Sequence, residues 1–251
     1  MRVFLIRRAA WLLAAAALTA GSCVKSQPPA VSPTLSPATD AVHLDGYPFF
    51  AATVIVPQID VHAQGTSSSG TVVRLPRINE NGAPQTFLVE SQTVDDTRHA
   101  WLRVLLPIRP NGSMGWVRVS DVRVQGIPYE LVIHLRSFSL DLLNAGNREA
   151  TVPIGVGTQN APTPTGRYYI KELIKPPNQN TIYGHFVFGL NGFSNVLVNW
   201  PQGGVIGIHG TNAPGSIGRR ASHGCIRMSN ANIERLARLL PLGTPVRVLD
   251  D

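Results

Sequence analysis

Two segments of the sequence carry residue types that could perform nucleophilic catalysis. Cys225 lies in ASHGCIRMSN, two residues after His223, and His209 lies in GIHGTN, sixteen residues before the cysteine. A thiol has an ordinary pKa of about 8.5 and becomes a strong nucleophile only when it loses its proton. A nearby imidazole can accept that proton or hold the thiolate as an ion pair. These residue types make a thiol–imidazole pair one interpretation of Cys225.

The residues around the pair predict how it is positioned. If the segment around Cys225 is extended, the side chains of His223 and Cys225 point to the same face. His209 follows the apolar run GVIGI, which predicts that it lies at the end of a strand. Gly224 removes side-chain bulk beside the thiol and leaves backbone N–H groups open to a developing oxyanion.

Two other interpretations of Cys225 remain open from the residues alone. A lone cysteine is usually a packed core residue, although such residues have apolar neighbours, and here His, Gly and Arg flank the thiol. Imidazole and thiolate also suit zinc, so His209, His223 and Cys225 could share a metal ion, but no fourth ligand stands out. The polar neighbours favour the nucleophile.

The first 22 residues have the layout of a secretory signal peptide, with arginines before an apolar run and small residues after it. The run, residues 9–18, is shorter than the about 20 residues of a membrane span, which weighs against an anchor helix. The end of the segment, TAGSC, resembles the lipobox of bacterial lipoproteins. This predicts lipidation of Cys23 and a location in the cell envelope; simple cleavage near Ala20 is the alternative.

Export makes the remaining cysteine unusual. Exported proteins use cysteine mostly in disulfide pairs, and without Cys23 the thiol of Cys225 has no partner. The net charge of +7 falls to +4 without the three arginines of the signal segment, a mild excess that suits an anionic cell envelope. There is no Lys/Arg cluster with interleaved aromatic residues, so nucleic acid is not an expected partner.

Composition divides the rest of the chain into a linker and two β-rich domains. Residues 23–45 are rich in Pro, Ser and Ala and predict an extended linker. Residues 46–126 contain short β-rich runs, among them a hairpin with its turn at Asn111-Gly112 and tryptophans on both sides. This hairpin resembles the closing strands of bacterial Src-homology-three-like barrels. We expect a small β-barrel module, with a generic β domain as the alternative.

Residues 127–251 predict a mostly antiparallel β domain with one helix. Short apolar runs such as ATVPIGVG, HFVFGLN and GVIGIHG alternate with Pro and Gly turns, and GNRE is one of the predicted turns. Only NIERLARLL has a helical period; Ser229 or Asn230 can cap it, and Pro241 ends it. The expected fold is therefore mostly β, a barrel module followed by a β-sandwich-like domain with one packed helix.

The segment IHGTNAPGSIGRRASHGCIRMSN resembles the signature of the L,D-transpeptidase catalytic domain, which joins H-G-T to S-H-G-C-[aliphatic]-R through a short loop. Upstream, PIGVG and APTPTGRYYI are similar to the family's substrate-side strand and loop. The resemblance covers about residues 130–250. It implies a cysteine acyltransferase that uses neither cofactor nor metal, acts on peptidoglycan stem peptides to cross-link the cell wall, and is a target of carbapenems.

The resemblance also implies a role for each matching residue. Cys225 is the nucleophile, His209 is the general base, and the carbonyl of Gly210 orients the imidazole. Five further residues match the oxyanion and substrate-binding side of the family's site: Ser222, His223, Gly224, Arg227 and Tyr183. A purely structural role, tying the loop to the domain, is the alternative for Arg227. His185 is expected to be an edge-strand residue.

In the reaction that the resemblance implies, Cys225 attacks a tetrapeptide stem at the L-centre of its diamino acid and expels the terminal D-alanine. An acceptor amine then takes the acyl group, whereas water in its place makes the protein an L,D-carboxypeptidase. A papain-like wall peptidase and a non-catalytic wall-binding protein are the alternatives. The papain-like cysteine precedes its histidine and opens a helix, unlike Cys225, and the presence of every motif residue argues against a non-catalytic protein.

Overall fold

The structure is a computed structural model that describes residues 43–199 and 201–251. The predicted signal peptide, Cys23 and nearly all of the predicted linker lie outside these residues. Within the described ranges the chain consists mainly of β-strands with one α-helix, which confirms the mostly-β fold class. No helix in these ranges is long and apolar enough to cross a membrane.

The first part of the chain forms an antiparallel sheet of seven strands. The strands are β1 (Phe49–Val54), β2 (Gln58–His62), β3 (Thr71–Pro76), β4 (Thr86–Val94), β5 (Ala100–Leu105), β6 (Met114–Arg118) and β7 (Val122–Ile127). Their order is β3-β2-β6-β5-β4-β1-β7. Alternate apolar side chains such as Ile59, Phe87 and Val104 are buried in its core. Because β3 and β7 lie at opposite ends of this order, closure into a barrel stays a prediction.

The predicted hairpin of this sheet is confirmed. β5 and β6 pair in antiparallel register, with Trp101 opposite Arg118 and Leu105 opposite Met114. The connection between them contains the predicted turn residues, and the N–H of Ser113 donates to the carbonyl of Pro110 at 3.2 Å. This connection projects towards the second sheet.

The second sheet has eight strands and carries the residues singled out from the sequence. Its strands are β8 (Tyr129–His134), β9 (Ser139–Asn144), β10 (Asn147–Pro153), β12 (Gly166–Ile174), β13 (Val187–Phe193), β14 (Val205–His209), β16 (Ile226–Arg227) and β17 (Pro245–Leu249), and a separate pair joins β11 (Val156–Gly157) to β15 (Arg220–Ser222). The order in the large sheet is β10-β9-β8-β17-β12-β13-β14-β16.

Most neighbours in this part of the chain are antiparallel, as predicted, but two pairs in the large sheet and the separate two-stranded pair are parallel. They are β8 with β17, β14 with β16, and β11 with β15. Each parallel pair joins segments that are distant in sequence, because parallel neighbours need a long crossover. The predicted turn GNRE is also displaced, since β10 already begins at Asn147 and the two-residue turn is Ala145-Gly146.

One helix, α1 (Asn230–Leu239), packs on the second sheet. The Ser229 side chain accepts a hydrogen bond from the N–H of Asn232 at 3.2 Å, which satisfies one of the unpaired donors of the first turn. Ile233 and Leu236 are buried in the same core as Ile208 of β14. The helix and one of its two predicted caps are therefore confirmed, and the helix lies behind the strand that ends at His209.

The chain passes from the first sheet to the second between Ile127 and Tyr129. The two sheets pack closely, with Leu88 and Leu105 of the first against the buried Tyr169 of β12. Beside them the carboxylate of Glu172 accepts hydrogen bonds from the side-chain amides of Asn79 and Asn81, at 2.9 and 3.0 Å. Strand β12 therefore contacts both cores.

Candidate active site

The parallel pairing of β14 and β16 brings the predicted nucleophile and base together. Ile208 lies opposite Ile226, and both side chains are fully buried in the core. Because side chains alternate along a strand, His209 and the residues on either side of Ile226 face away from that core. Cys225 directly precedes β16, so its thiol and the imidazole of His209 reach the same side of the sheet.

His209 is buried and anchored at one ring nitrogen. Its Nδ1 lies 2.6 Å from the carbonyl oxygen of Gly210, which can only accept, so Nδ1 carries the proton and Nε2 keeps its lone pair. Burial lowers the pKa of His209 to about 4; the positive charge of Arg227 contributes in the same direction, while hydrogen bonds to the backbone of Gly210 and Ile182 oppose it. The imidazole is therefore neutral at pH 7 and oriented to accept a proton.

Cys225 is half-buried and lies next to the backbone of β14. Burial raises the pKa of its thiol, whereas a hydrogen bond from the backbone of Gly207 and the charge of Arg227 act in the opposite direction. The balance keeps the thiol protonated at neutral pH. Together with the neutral imidazole of His209, this favours general-base activation over a resting thiolate–imidazolium pair.

The residues before Cys225 form a bend and not the extended segment that would place His223 and Cys225 on one face. Gly224 has a φ of 113°, a conformation that favours glycine, and it is buried. The hydroxyl of Ser222 donates to the carbonyl of Cys225 at 2.6 Å and accepts from the N–H of Gly224 at 3.1 Å. Hydrogen bonds among residues 222–225 therefore close the bend. The alternation of side chains along a strand could not predict it.

This bend changes two expectations. The N–H of Gly224, which the sequence suggested was open to an oxyanion, is already bonded to Ser222. Ser222 is buried and its hydroxyl makes both of these bonds, so in this structure it holds the bend that precedes the nucleophile. Of the N–H groups beside the thiol, that of Cys225 is therefore the remaining candidate donor to an oxyanion.

Thr163, in the APTPTG segment, is a residue of the site that the sequence did not single out. Its buried hydroxyl donates to the carbonyl of Gly224 at 2.8 Å and accepts from the N–H of Gly157 at 2.9 Å. It therefore fastens the bend to β11. The only signal in the sequence was the resemblance of its segment to the family's substrate-side loop.

The pair lies in an open cavity of about 70 Å³. Residues from four separate segments line it: Ile182, Tyr183, Leu197, Gly204, Val205, His209, Ser222, His223, Cys225 and Arg227. All the predicted site residues except Gly210 and Gly224 are in this set. Gly210 contacts the imidazole through its carbonyl, which accepts from Nδ1, and Gly224 lies in the bend.

Tyr183, which the resemblance assigns to the oxyanion and substrate-binding side, contacts the ring of His209 in the structure. Its ring centroid lies 5.2 Å from that of His209, with the planes at 60°, and 45% of the side chain is exposed. Arg227 also lies in the cavity, where its charge acts on both members of the pair.

The backbone of Arg227 supports the structural role considered from the sequence, while its substrate-side role stays a prediction. Its backbone N–H donates to the carbonyl of Gly155, and its own carbonyl accepts from the N–H of Gly155, both at 2.8 Å. These bonds tie the loop to the domain. Its side-chain Nε is buried and makes no hydrogen bond to the described residues.

Asn230 is the second residue of the site that the sequence did not reveal, since it entered only as a candidate helix cap. Its Oδ1 accepts from the N–H groups of Thr211 and His185, at 3.1 and 3.2 Å. A Cβ added at Gly210 would lie 2.2 Å from this oxygen. A side chain at position 210 would therefore displace the Asn230 amide from the two N–H groups that it accepts, where the chain that orients His209 passes the start of α1.

His185 is not the edge-strand residue that was expected. It lies in a bend before β13, and its Nδ1 contacts the carboxylate of Glu234 on α1. The zinc alternative required His209, His223 and Cys225 to gather around one ion. In residues 43–199 and 201–251 no three His, Cys, Asp or Glu side chains form such a group.

A family model described as the L,D-transpeptidase catalytic domain matches residues 128–248. A Bacillus subtilis protein provisionally named L,D-transpeptidase YkuD is 34% identical over 150 residues, which cover 57% of this chain and 84% of that protein. A second relative, a Fuscovulum blasticum protein provisionally named as an L,D-transpeptidase, is 28% identical over 194 residues, 73% of this chain and 92% of its own length.

Solved structures resemble the chain more distantly. L,D-transpeptidase 3 from Mycobacterium tuberculosis, in complex with a faropenem-derived adduct, aligns with a TM-score of 0.42 and 14% identity. The alignment covers 61% of this chain and 91% of that one.

Proposed function

This chain belongs to the L,D-transpeptidase catalytic-domain family, and from that membership we propose that it is a cysteine acyltransferase that cross-links peptidoglycan stem peptides. The observation that carries the proposal is the state of His209. A neutral imidazole with its proton fixed on Nδ1 shares a cavity with a protonated thiol. A general base in this state can activate a thiol at the moment of attack.

In the first step the imidazole removes the thiol proton as Cys225 Sγ attacks the carbonyl of the diamino acid L-centre in a tetrapeptide stem. The C–S bond forms and the carbonyl becomes an oxyanion, for which the N–H of Cys225 is the proposed donor. The oxyanion then collapses and breaks the bond to D-alanine, whose amine takes the proton from His209. The product is a thioester on Cys225.

In the second step an acceptor amine attacks the thioester. His209 accepts a proton from this amine, the C–S bond breaks, and the thiolate of Cys225 takes the proton back. An amine on a second stem gives a cross-link between two diamino acids. Water in its place gives L,D-carboxypeptidase activity from the same residues, so the acceptor distinguishes the two outcomes.

The position of Cys225 does not support the papain-like alternative. The cysteine of a papain-like peptidase opens a helix, whereas Cys225 follows a bend and precedes a β-strand. The geometry around His209 likewise gives no support to a non-catalytic wall-binding protein, because a binding surface needs neither a fixed imidazole tautomer nor a thiol beside it.

The test is turnover of purified tetrapeptide muropeptides by the exported protein and by its Cys225→Ala variant. We expect release of D-alanine together with dimeric products from the wild type and neither from the variant. Ser216→Ala is a control, because it changes another small, buried side chain that does not line the cavity. Turnover by Cys225→Ala would contradict the proposal, and D-alanine without dimers would identify a carboxypeptidase.

A further inference from the structure

One wall of the cavity is formed by the chain that joins β13 to β14. We call residues 194–199 and 201–204 the wall loop. Leu197 and Gly204 of this loop line the cavity. The ends of the loop are joined by a hydrogen bond from the N–H of Ser194 to the carbonyl of Gly204, at 2.8 Å.

Among the side chains that the structure describes between the two ends of the wall loop, residues 195–199, there is little packing. The side chains of Val196 and Val198 are 50% and 54% exposed, so the residues on either side of Leu197 bury little apolar surface. The Ser194 hydroxyl accepts from the N–H of Leu197 at 3.1 Å, which stiffens only the first turn. A segment with few buried apolar contacts opens easily, so its position depends on what holds its ends.

Arg109, from the first β-rich domain (residues 46–126, the N-terminal domain), holds both ends of this loop. The same guanidinium nitrogen of Arg109 donates to the carbonyl of Ser194 at 3.0 Å and to that of Gly203 at 2.8 Å. The guanidinium also lies 4.9 Å from the ring centroid of Phe193, the last residue of β13. One side chain therefore connects the start and the end of the wall loop.

Asn111, from the same connection between β5 and β6, adds a second attachment. Its Nδ2 donates to the carbonyl of Phe193 at 2.8 Å, and its Oδ1 accepts from the N–H of Phe193 at 2.9 Å. The amide thus pairs with the backbone as a neighbouring strand would. Nearby, the buried Asn191 donates to the carbonyl of Leu106 at 3.2 Å. We call Arg109 and Asn111 the clasp.

We propose that the clasp residues are positioning residues through which the N-terminal domain sets how tightly the cavity binds its donor stem. This inference rests on the proposed function. Without the clasp the wall loop samples more arrangements, and only some of them can bind the stem. The apparent affinity for the stem then falls in proportion to the fraction of molecules in the binding-competent arrangement. His209 and Cys225 are held by β14, β16 and α1, so the chemical step stays intact.

The experiment combines amide hydrogen exchange with steady-state kinetics on the full exported chain. Arg109→Met, Asn111→Ala and the double variant are compared with Arg74→Met, which removes an exposed arginine that pairs with Asp60 inside the N-terminal domain. We expect faster exchange in peptides spanning residues 194–204 for the three clasp variants only. For the double variant we expect KM for the tetrapeptide stem to rise roughly tenfold with kcat nearly unchanged.

Three results would overturn the proposal: unchanged exchange in the wall loop, faster exchange with unchanged KM, or a fall in kcat at constant KM. Asn111→Ala keeps the test decisive if Arg109→Met folds poorly. A wild type without turnover on stem peptides would instead refute the proposed function. In that case the exchange measurement still decides whether the clasp holds the loop.

Discussion

At the scale of single residues, the protonation state of the Cys225–His209 pair determines how the enzyme should respond to pH. The base is active when the imidazole is neutral, so activity is present above the His209 pKa of about 4 and is lost as pH falls through it. We expect kcat/KM for a stem peptide to be flat between about pH 5 and 7, with an acid limb near 4. An acid limb centred near 6.5 would show that the imidazole has its ordinary pKa.

The same pair predicts acylation by a carbapenem. A strained lactam carbonyl resembles the acyl donor, so Cys225 Sγ should open the ring and retain the drug as a thioester. His209→Ala should slow formation of the adduct by roughly 10²- to 10⁴-fold, the usual loss of rate when a general base is removed. Intact-protein mass after exposure follows the reaction, with Cys225→Ala as the unreactive control. An unmodified wild type, or an acylated Cys225→Ala, would count against the assigned nucleophile.

At the scale of elements, the start of α1 positions the base. Asn230→Ala removes the acceptor of two backbone N–H groups and leaves them unpaired, so the free energy of unfolding should fall by roughly 2–4 kcal/mol. Carbapenem acylation should also slow, because the chain at Gly210 loses its support. Denaturant unfolding and adduct formation measure the two effects.

Two variants control for this change. Asn230→Asp keeps the acceptor oxygen and places a negative charge at the start of a helix, where it is favourable, so it should behave like the wild type. Asn232→Ala changes the same residue type on the same helix and should have little effect on acylation. If Asn230→Ala acylates at the wild-type rate, the side chain has no part in positioning His209.

The secondary-structure elements could be predicted from the sequence more fully than the contacts between them. The period of NIERLARLL gave α1, and the apolar run before His209 gave β14, because both signals are local. The bend at residues 223–224 could not be predicted by alternation, since it depends on the two bonds of Ser222 and on Thr163, 61 positions away from Gly224. Asn230 was missed for the same reason: its partners come from two other segments of the chain.

At the scale of the whole molecule, we propose that a lipid at Cys23 and the Pro-rich segment after it tether the folded domains in the cell envelope. Each buried methylene of an acyl chain contributes about 0.8 kcal/mol to membrane binding. Cys23→Ala should therefore move the protein from the membrane fraction to the soluble fraction. Cys225→Ala removes the other cysteine and should stay with the membrane. Unchanged fractionation of Cys23→Ala would refute lipidation.

The buried contacts of β12 have a consequence for how the protein loses its structure. Tyr169 is shielded by strands of the first sheet and Glu172 by the connection between β3 and β4, and Gly243 packs against Ala51 so closely that a Cβ there would lie 2.3 Å away. Unfolding one sheet alone would leave a carboxylate without its amide donors and an aromatic ring in water. The two sheets should therefore unfold in a single calorimetric transition. Residues 127–251 expressed without the first sheet should unfold without a cooperative transition.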